Sequence, residues 1–297
     1  MTGSAHGHDV DDQWAMFIVR YTCYSCITVL TWEWLTTLSF EVRTIWRKST
    51  PYATKLLYFY PRYLGLVSSI CNSIAISRIH EIYIVDRDTC QWWYGFQLLV
   101  SDTMVLALEM LLMFRIFALF ERKPKMAMFL CGLLVSKTVV IILLGVYSIR
   151  RITFGDACLA KGVPVTVMYS SALEMLVQTV IWCLTLYKHF RTHLEHQRQT
   201  IPLLSIVTRD GSWSFLLVSV IYVALIKDAF TGTGRLSDKT ARLCDITFPI
   251  LTSTISFTSC RIIMNMQKFA QSQDSNETDS RGIYLTTVYS DYAQPTR

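Results

Sequence analysis

KLLYFYPRYLGLVSSICNSIAI, residues 55–76, reads as long and oily enough to cross a bilayer, yet it places Arg62 beside Pro61 well inside the run. Apolar runs of similar length recur from near Tyr21 to Met264, with short charged loops between them. Across the 297 residues, 52% are hydrophobic and 17% charged, and the mean hydropathy is +0.34. A soluble domain carries charge on about a quarter of its residues. The chain therefore reads as a membrane protein, with no stretch left over for a separate soluble core.

Windows matched to the hydrocarbon thickness give seven helices: Tyr21 to Phe40, Thr54 to Ile76, Trp92 to Phe114, Met126 to Tyr147, Pro164 to Tyr187, Trp213 to Leu225 and Ile246 to Met264. Lys227 and Asp228 shorten the sixth. The expected fold class is an all-α membrane protein, a bundle of about seven transmembrane helices. The first thirteen residues, MTGSAHGHDVDDQ, have neither a basic start before an apolar core nor a small-residue cleavage site, so no cleaved signal peptide is expected.

Orientation follows from the loop charges. With the N-terminus outside, the inner loops hold twelve basic residues: Arg43, Arg47, Lys48, Lys55, Arg115, Arg122, Lys123, Lys125, Lys188, Arg191, Arg198 and Arg209. Only Glu41, Glu121, Glu195 and Asp210 oppose them there, whereas the outer segments hold ten basic and ten acidic residues. The C-terminus is then cytoplasmic. The net charge of +6 is scattered through loops rather than gathered on one face, which speaks for orientation and against nucleic acid. The expected organisation is an extracellular tail over 1–20, a seven-helix domain over 21–266 and a disordered cytoplasmic tail over 267–297. That tail is too polar to fold alone, and its Asn276-Glu277-Thr278 sequon would face the wrong compartment for glycosylation.

Arg62 needs a partner. Glu33 lies eight residues before Glu41 on the first helix, and Arg62 lies eight after Thr54 on the second, so both stand about 12 Å from the inner boundary. An isolated charge there costs at least about 2.5 kcal/mol, which makes a Glu33–Arg62 pair the expectation, with Glu109 as a second partner. The alternative is an Arg62 that snorkels to the headgroups past Pro61. Asp102 and Glu109 share one stripe of the third helix, and Lys137 and Glu174 lie near mid-membrane. Such a charge network marks a ligand or proton path, or it orders the bundle by interhelical pairing alone.

Cys90 and Cys158 both fall on the outer side, where a disulfide would clamp the loop between helices four and five, with Cys244 as the rival partner. Cys23 and Cys26 form a CxxC on a membrane helix without a second ligand pair, which favours packing over metal. His189, His193 and His196 share a helix face at the inner surface and read as a solvated basic extension. No HExxH, GxSxG or phosphate-binding glycine loop occurs, and the last helix has no lysine for a retinal Schiff base, so neither enzyme, metal nor cofactor is expected. Neither half of the chain repeats in the other.

WEWLTTLSFEVRTIWRK, followed by Arg62-Tyr63, resembles the N-terminal domain of unknown function carried by multi-pass membrane proteins of mushroom-forming fungi. Trp32 and Glu33 open the motif, then come a Leu-Thr-Leu-like run, Glu41-Val42-Arg43 and Ile45-Trp46. The resemblance places that domain over about 21–70. It continues through Cys90, the segment around Arg115, Cys158, the segment around Glu174, Arg209-Asp210-Gly211 and SCRIIMNM. The sequence departs from the pattern with Glu33 for the usual Asp and Pro61 for an Asn-like residue. The resemblance implies about seven spans, no assigned activity, and cytoplasmic motif residues at Glu41, Arg43, Trp46, Arg115, Arg209, Asp210 and Gly211.

Three functions fit these residues. In the first, the chain is receptor-like: a small molecule binds below the tethered outer loop, and the basic inner loops meet a cytosolic signalling partner, most naturally at the plasma membrane. In the second, it is a secondary transporter or proton-coupled carrier that uses the intramembrane carboxylates. In the third, it is a structural membrane protein whose charge pairs only specify packing. The third helix ends in FRIFALF rather than an Asp-Arg-Tyr-like switch, so coupling to a G protein is not implied.

Overall fold

The computed structural model describes residues 3–46, 52–81, 86–120, 123–154, 158, 160–162, 166–195, 215–223, 227 and 246–267. Helix α1 spans Gly3–Phe40 and widens into a five-residue π turn, Glu41–Ile45. Then follow α2 (Tyr52–Glu81), α3 (Arg87–Leu119), α4 (Pro124–Ile149) and α5 (Thr166–Glu195). A two-strand ladder, β1 (Thr153–Phe154) with β2 (Ala160–Gly162), links α4 to α5. Helices over 215–223 (α6) and Ile246–Gln267 (α7) complete the described chain. Apart from that ladder and a few turn and connecting residues, the described residues are helical.

Four of these helices are long and apolar enough to cross a membrane: Arg87–Phe114, Pro124–Ile149, Thr166–Lys188 and Ile246–Gln267. Helices α1 and α2 have the length, at 38 and 30 residues, and fall short only in apolarity. The segment expected as an N-terminal tail is helical from Gly3, with no proline to interrupt it.

Burial separates central from peripheral helices. In the most apolar stretch of each, half of α3 and 61% of α7 are buried, against 17% of α4. On α3, Val100, Met104, Leu108, Leu112 and Ile116 recur every four residues and, with the adjacent Val105, fill the core with Tyr58, Ile181, Tyr222, Ile255 and Ile263. Helix α4 turns Val135, Val139, Ile142, Leu143 and Val146 outward, the pattern of a lipid-facing helix. Helix α2 meets α7 closely at Gly65, where an added Cβ would lie 2.9 Å from both Cβ and Oγ of Ser256. Pro124 at the first turn of α4 fixes where that helix restarts after α3.

One end of the bundle gathers the start of α3, the end of α4 and the β1–β2 hairpin, held by a Cys90–Cys158 disulfide. The π turn of α1 and the starts of α2 and α4 lie at the other end.

Candidate functional site

Arg62 is buried in a cage built from its own helix and from α1. Its Nη1 donates to Thr37 Oγ1 at 2.7 Å and to Tyr58 Oη at 2.5 Å, and Nη2 donates to the Trp34 carbonyl at 3.0 Å. The counter-charge is Glu41, with Oε2 3.0 Å from Nη2. Glu41 is itself fully buried, and its Oε1 accepts from Trp46 Nε1 at 3.1 Å and from Tyr63 Oη at 2.9 Å. The π turn makes this arrangement: the Trp46 N–H reaches back five residues to the Glu41 carbonyl, and the wider turn swings Glu41, Thr44 and Ile45 together toward the core. Arg43 and Trp46 remain exposed.

The expected Glu33–Arg62 pair is replaced by two others. Glu33 Oε1 meets Arg261 Nε of α7 at 3.2 Å, and Arg62 meets Glu41. Helical side chains lean toward the N-terminus of their own helix, and α1 and α2 are antiparallel. Glu33 therefore leans toward the disulfide end and Arg62 away from it, so equal backbone depth becomes unequal depth at the charged atoms. A small cavity with room for no more than about one water lies between them, lined by Glu33, Arg62, Trp34, Ser256 and Cys260 among others.

The same rule moves Glu109. It pairs with Lys137, whose Nζ lies 2.5 Å from Glu109 Oε2 and 2.8 Å from Glu174 Oε1. Helix α4 runs opposite to α3, so Lys137 and Glu109 lean toward each other. All three are buried, with Gln178 Nε2 at 3.4 Å from Glu109 Oε1 and the buried Tyr222 facing the carboxyls. Asp102 is half-buried on the same stripe of α3. Two carboxylates around one ammonium repel each other strongly in a core of low effective dielectric. This cluster of three acids and one base is the least balanced charge group among the described residues of the core.

Toward the disulfide end the core carries a neutral relay. Gln97 Nε2 donates to Asn72 Oδ1 at 2.8 Å, and Asn72 Nδ2 donates to Cys23 Sγ at 3.2 Å. Cys23 is not disulfide-bonded and packs against Val19 and Ile76, and no group of metal ligands occurs among the described residues. Cys90 and Cys158 are bonded with their Cα atoms 5.3 Å apart, and the Tyr94 and Phe154 rings meet at 6.1 Å beside them. Arg209, Asp210, Gly211, Cys244, His196 and the tail lie outside the described residues, as do the side chains of Arg115, His189 and His193.

Sequence reading brought out Glu33, Arg62, Asp102, Glu109, Lys137 and Glu174 as the charged residues within the helices. It missed Glu41 and Arg261 as partners, and Thr37, Tyr58, Gln178 and Tyr222 as polar neighbours. Side-chain direction along antiparallel helices was the signal that could have found Glu41.

A family of unknown function (DUF6533) matches residues 21–67. That segment contains Glu33, Trp34, Thr37, Glu41, Trp46, Tyr58, Arg62 and Tyr63, so the matched unit is a helical hairpin closed by the Arg62 cage. Neither the curated proteins nor the solved structures contain a match to the chain. The chain is thus a membrane-type helical protein carrying a segment similar to a family of unknown function.

Proposed function

We propose that the chain is a seven-span, receptor-like membrane protein with its N-terminus outside, sensing a small molecule at the disulfide end and signalling through the basic loops at the other. The observation that carries this reading is the Cys90–Cys158 bond, which ties the α4–α5 hairpin to the first turn of α3. A disulfide belongs to an oxidising compartment, and a tethered hairpin over a bundle end gives a ligand a fixed rim. Helices α1 and α2 complete the spans because their charges are neutralised within the bundle rather than left to lipid.

The test has two stages. Glycan acceptor sites inserted before Trp14, near Asp156 and in the C-terminal tail should be modified at the first two positions and not at the third. Modification of the tail alone would put the hairpin in a reducing compartment and overturn the reading. Purified protein is then screened against small molecules by thermal shift, with the disulfide intact and reduced. Ligands whose stabilisation vanishes on reduction support a site under the hairpin, and stabilisation indifferent to reduction removes it.

The buried carboxyl cluster favours a second reading, a proton-coupled carrier. It requires pH-dependent flux in vesicles that falls in Asp102→Asn and Glu174→Gln, and unchanged flux in both would dismiss it.

A further inference from the structure

The cluster around Lys137 is out of balance. The groups that face one another there are Asp102 and Glu109 from α3, Lys137 from α4, Glu174 and Gln178 from α5, and Tyr222 from α6. Lys137 is the single cation among these described groups, against three carboxyls. Full ionisation would bury two uncompensated negative charges, a state that proteins relieve by neutralising a group. Geometry shows where the relief belongs. Glu174 has only 5% of its side chain exposed, yet its Oε2 meets no hydrogen-bond donor. The carboxyl that it faces is that of Glu109, which offers only acceptors unless one of the pair carries a proton. A metal cation has no place between them, because the Lys137 ammonium already occupies the position that both carboxyls share.

We propose that Glu109 and Glu174 hold one proton between them, which makes the Asp102–Glu109–Lys137–Glu174 cluster a proton-binding site inside the bundle. With that proton bound, Lys137 pairs with the one remaining carboxylate, and only the half-buried Asp102 keeps an unpaired charge. On release the carboxylic O–H bond breaks, its electrons stay on the oxygen, and the proton leaves toward the disulfide end. Asp102 stands two turns nearer that end on the same stripe and is the relay. The emptied pair then repels across Lys137, so proton occupancy biases how α3, α4 and α5 pack. The site serves either functional reading and depends on neither.

The experiment is infrared difference spectroscopy on the full chain in lipid nanodiscs, acid minus alkaline, with released protons counted by an indicator dye. The expected result is one protonated-carboxyl band that shifts in heavy water and is lost in Glu109→Gln/Glu174→Gln, with the parent releasing about one proton per chain more than that double variant. Gln resembles a protonated carboxyl, so at least one of the single variants should melt like the parent while losing the band. A band that survives in the double variant, or that is lost only in Asp102→Asn, overturns the assignment. If the double variant does not fold, the parent still decides: an absolute infrared spectrum with no deuterium-sensitive protonated-carboxyl band anywhere in the range in which it stays folded means that the carboxyls are ionised and the proposal fails.

Discussion

Arg62 is tolerated because four partners surround it, and these partners differ in worth. Three are neutral acceptors, Thr37, Tyr58 and the Trp34 carbonyl, and one is the Glu41 carboxylate. Breaking a buried ion pair by removing one side strands a charge and costs about 3–5 kcal/mol, whereas an exposed pair is worth about 0–1 kcal/mol. Arg261 is 54% exposed, so its bond to Glu33 belongs to the weaker class. In denaturant titrations of the solubilised protein, Glu41→Gln and Arg62→Met should therefore each cost about 3–5 kcal/mol, and Glu33→Gln about 1 kcal/mol. A cycle over Glu41 and Arg62 should show strong coupling, and a cycle over Glu33 and Arg62 almost none. Equal losses for Glu33→Gln and Glu41→Gln would return Glu33 to the role of counter-ion. The charged residues were legible in the sequence because each interrupts an apolar run. Their pairing was not, since depth counted on backbone atoms ignores the several ångströms by which long side chains lean along opposed helices.

The helices themselves were legible for the same physical reason that makes them form: inside a bilayer every backbone group must be satisfied within its own segment. Their order matches the apolar runs, and the departures have local causes. The polar N-terminal residues continue α1 with no proline among them, and Arg62, Lys55 and the many hydroxyl residues of α2 keep its hydropathy low despite 30 helical residues. What the sequence could not show is how near two helices come. Gly65 lies on α2 against Ser256, and an alanine there would meet Ser256 Cβ and Oγ at 2.9 Å and Met104 Cε at 3.1 Å. Met104 can yield, but a Cβ on the opposing helix cannot. Gly65→Ala should therefore destabilise by about 1–3 kcal/mol through overpacking, and adding Ser256→Gly should restore much of the loss. Leucine at 65 should abolish folding in either background. Detergent-solubilised melts decide the matter: if Gly65→Ala melts like the parent, the α2–α7 approach is looser than described. A comparable change at Gly132 of α4, which has open space around it, should be neutral.

At the scale of the whole molecule, one covalent link decides whether the disulfide end is a fixed rim or a loose loop. The bond joins residues 68 apart in sequence, a span that contains α3 and α4. For a soluble chain, closing a loop of that length would stabilise by about 4 kcal/mol. A membrane helix stays helical when its bundle comes apart, so less chain entropy is available for the bond to remove, and the effect here should be a fraction of that figure. The larger consequence is positional. Cys158 adopts a left-handed backbone at φ 55°, unusual for a residue with a side chain, and the bond seats it over the buried Cys90 beside the Tyr94–Phe154 contact. Reduction of the parent protein should therefore lower its melting temperature by a few degrees and expose the α4–α5 hairpin to protease. Cys90→Ser/Cys158→Ser should start from that lower temperature and not respond to the reductant. Cys23 and the other cysteines outside the disulfide supply the internal control, because alkylation followed by mass measurement shows which sulfurs the reductant has opened. If Cys90 and Cys158 are shown to be opened while melting and proteolysis stay unchanged, the hairpin holds its place without the bond. The disulfide could then no longer stand as the structural basis of a ligand-binding rim, and the carrier reading built on the Lys137 cluster would be the stronger of the two.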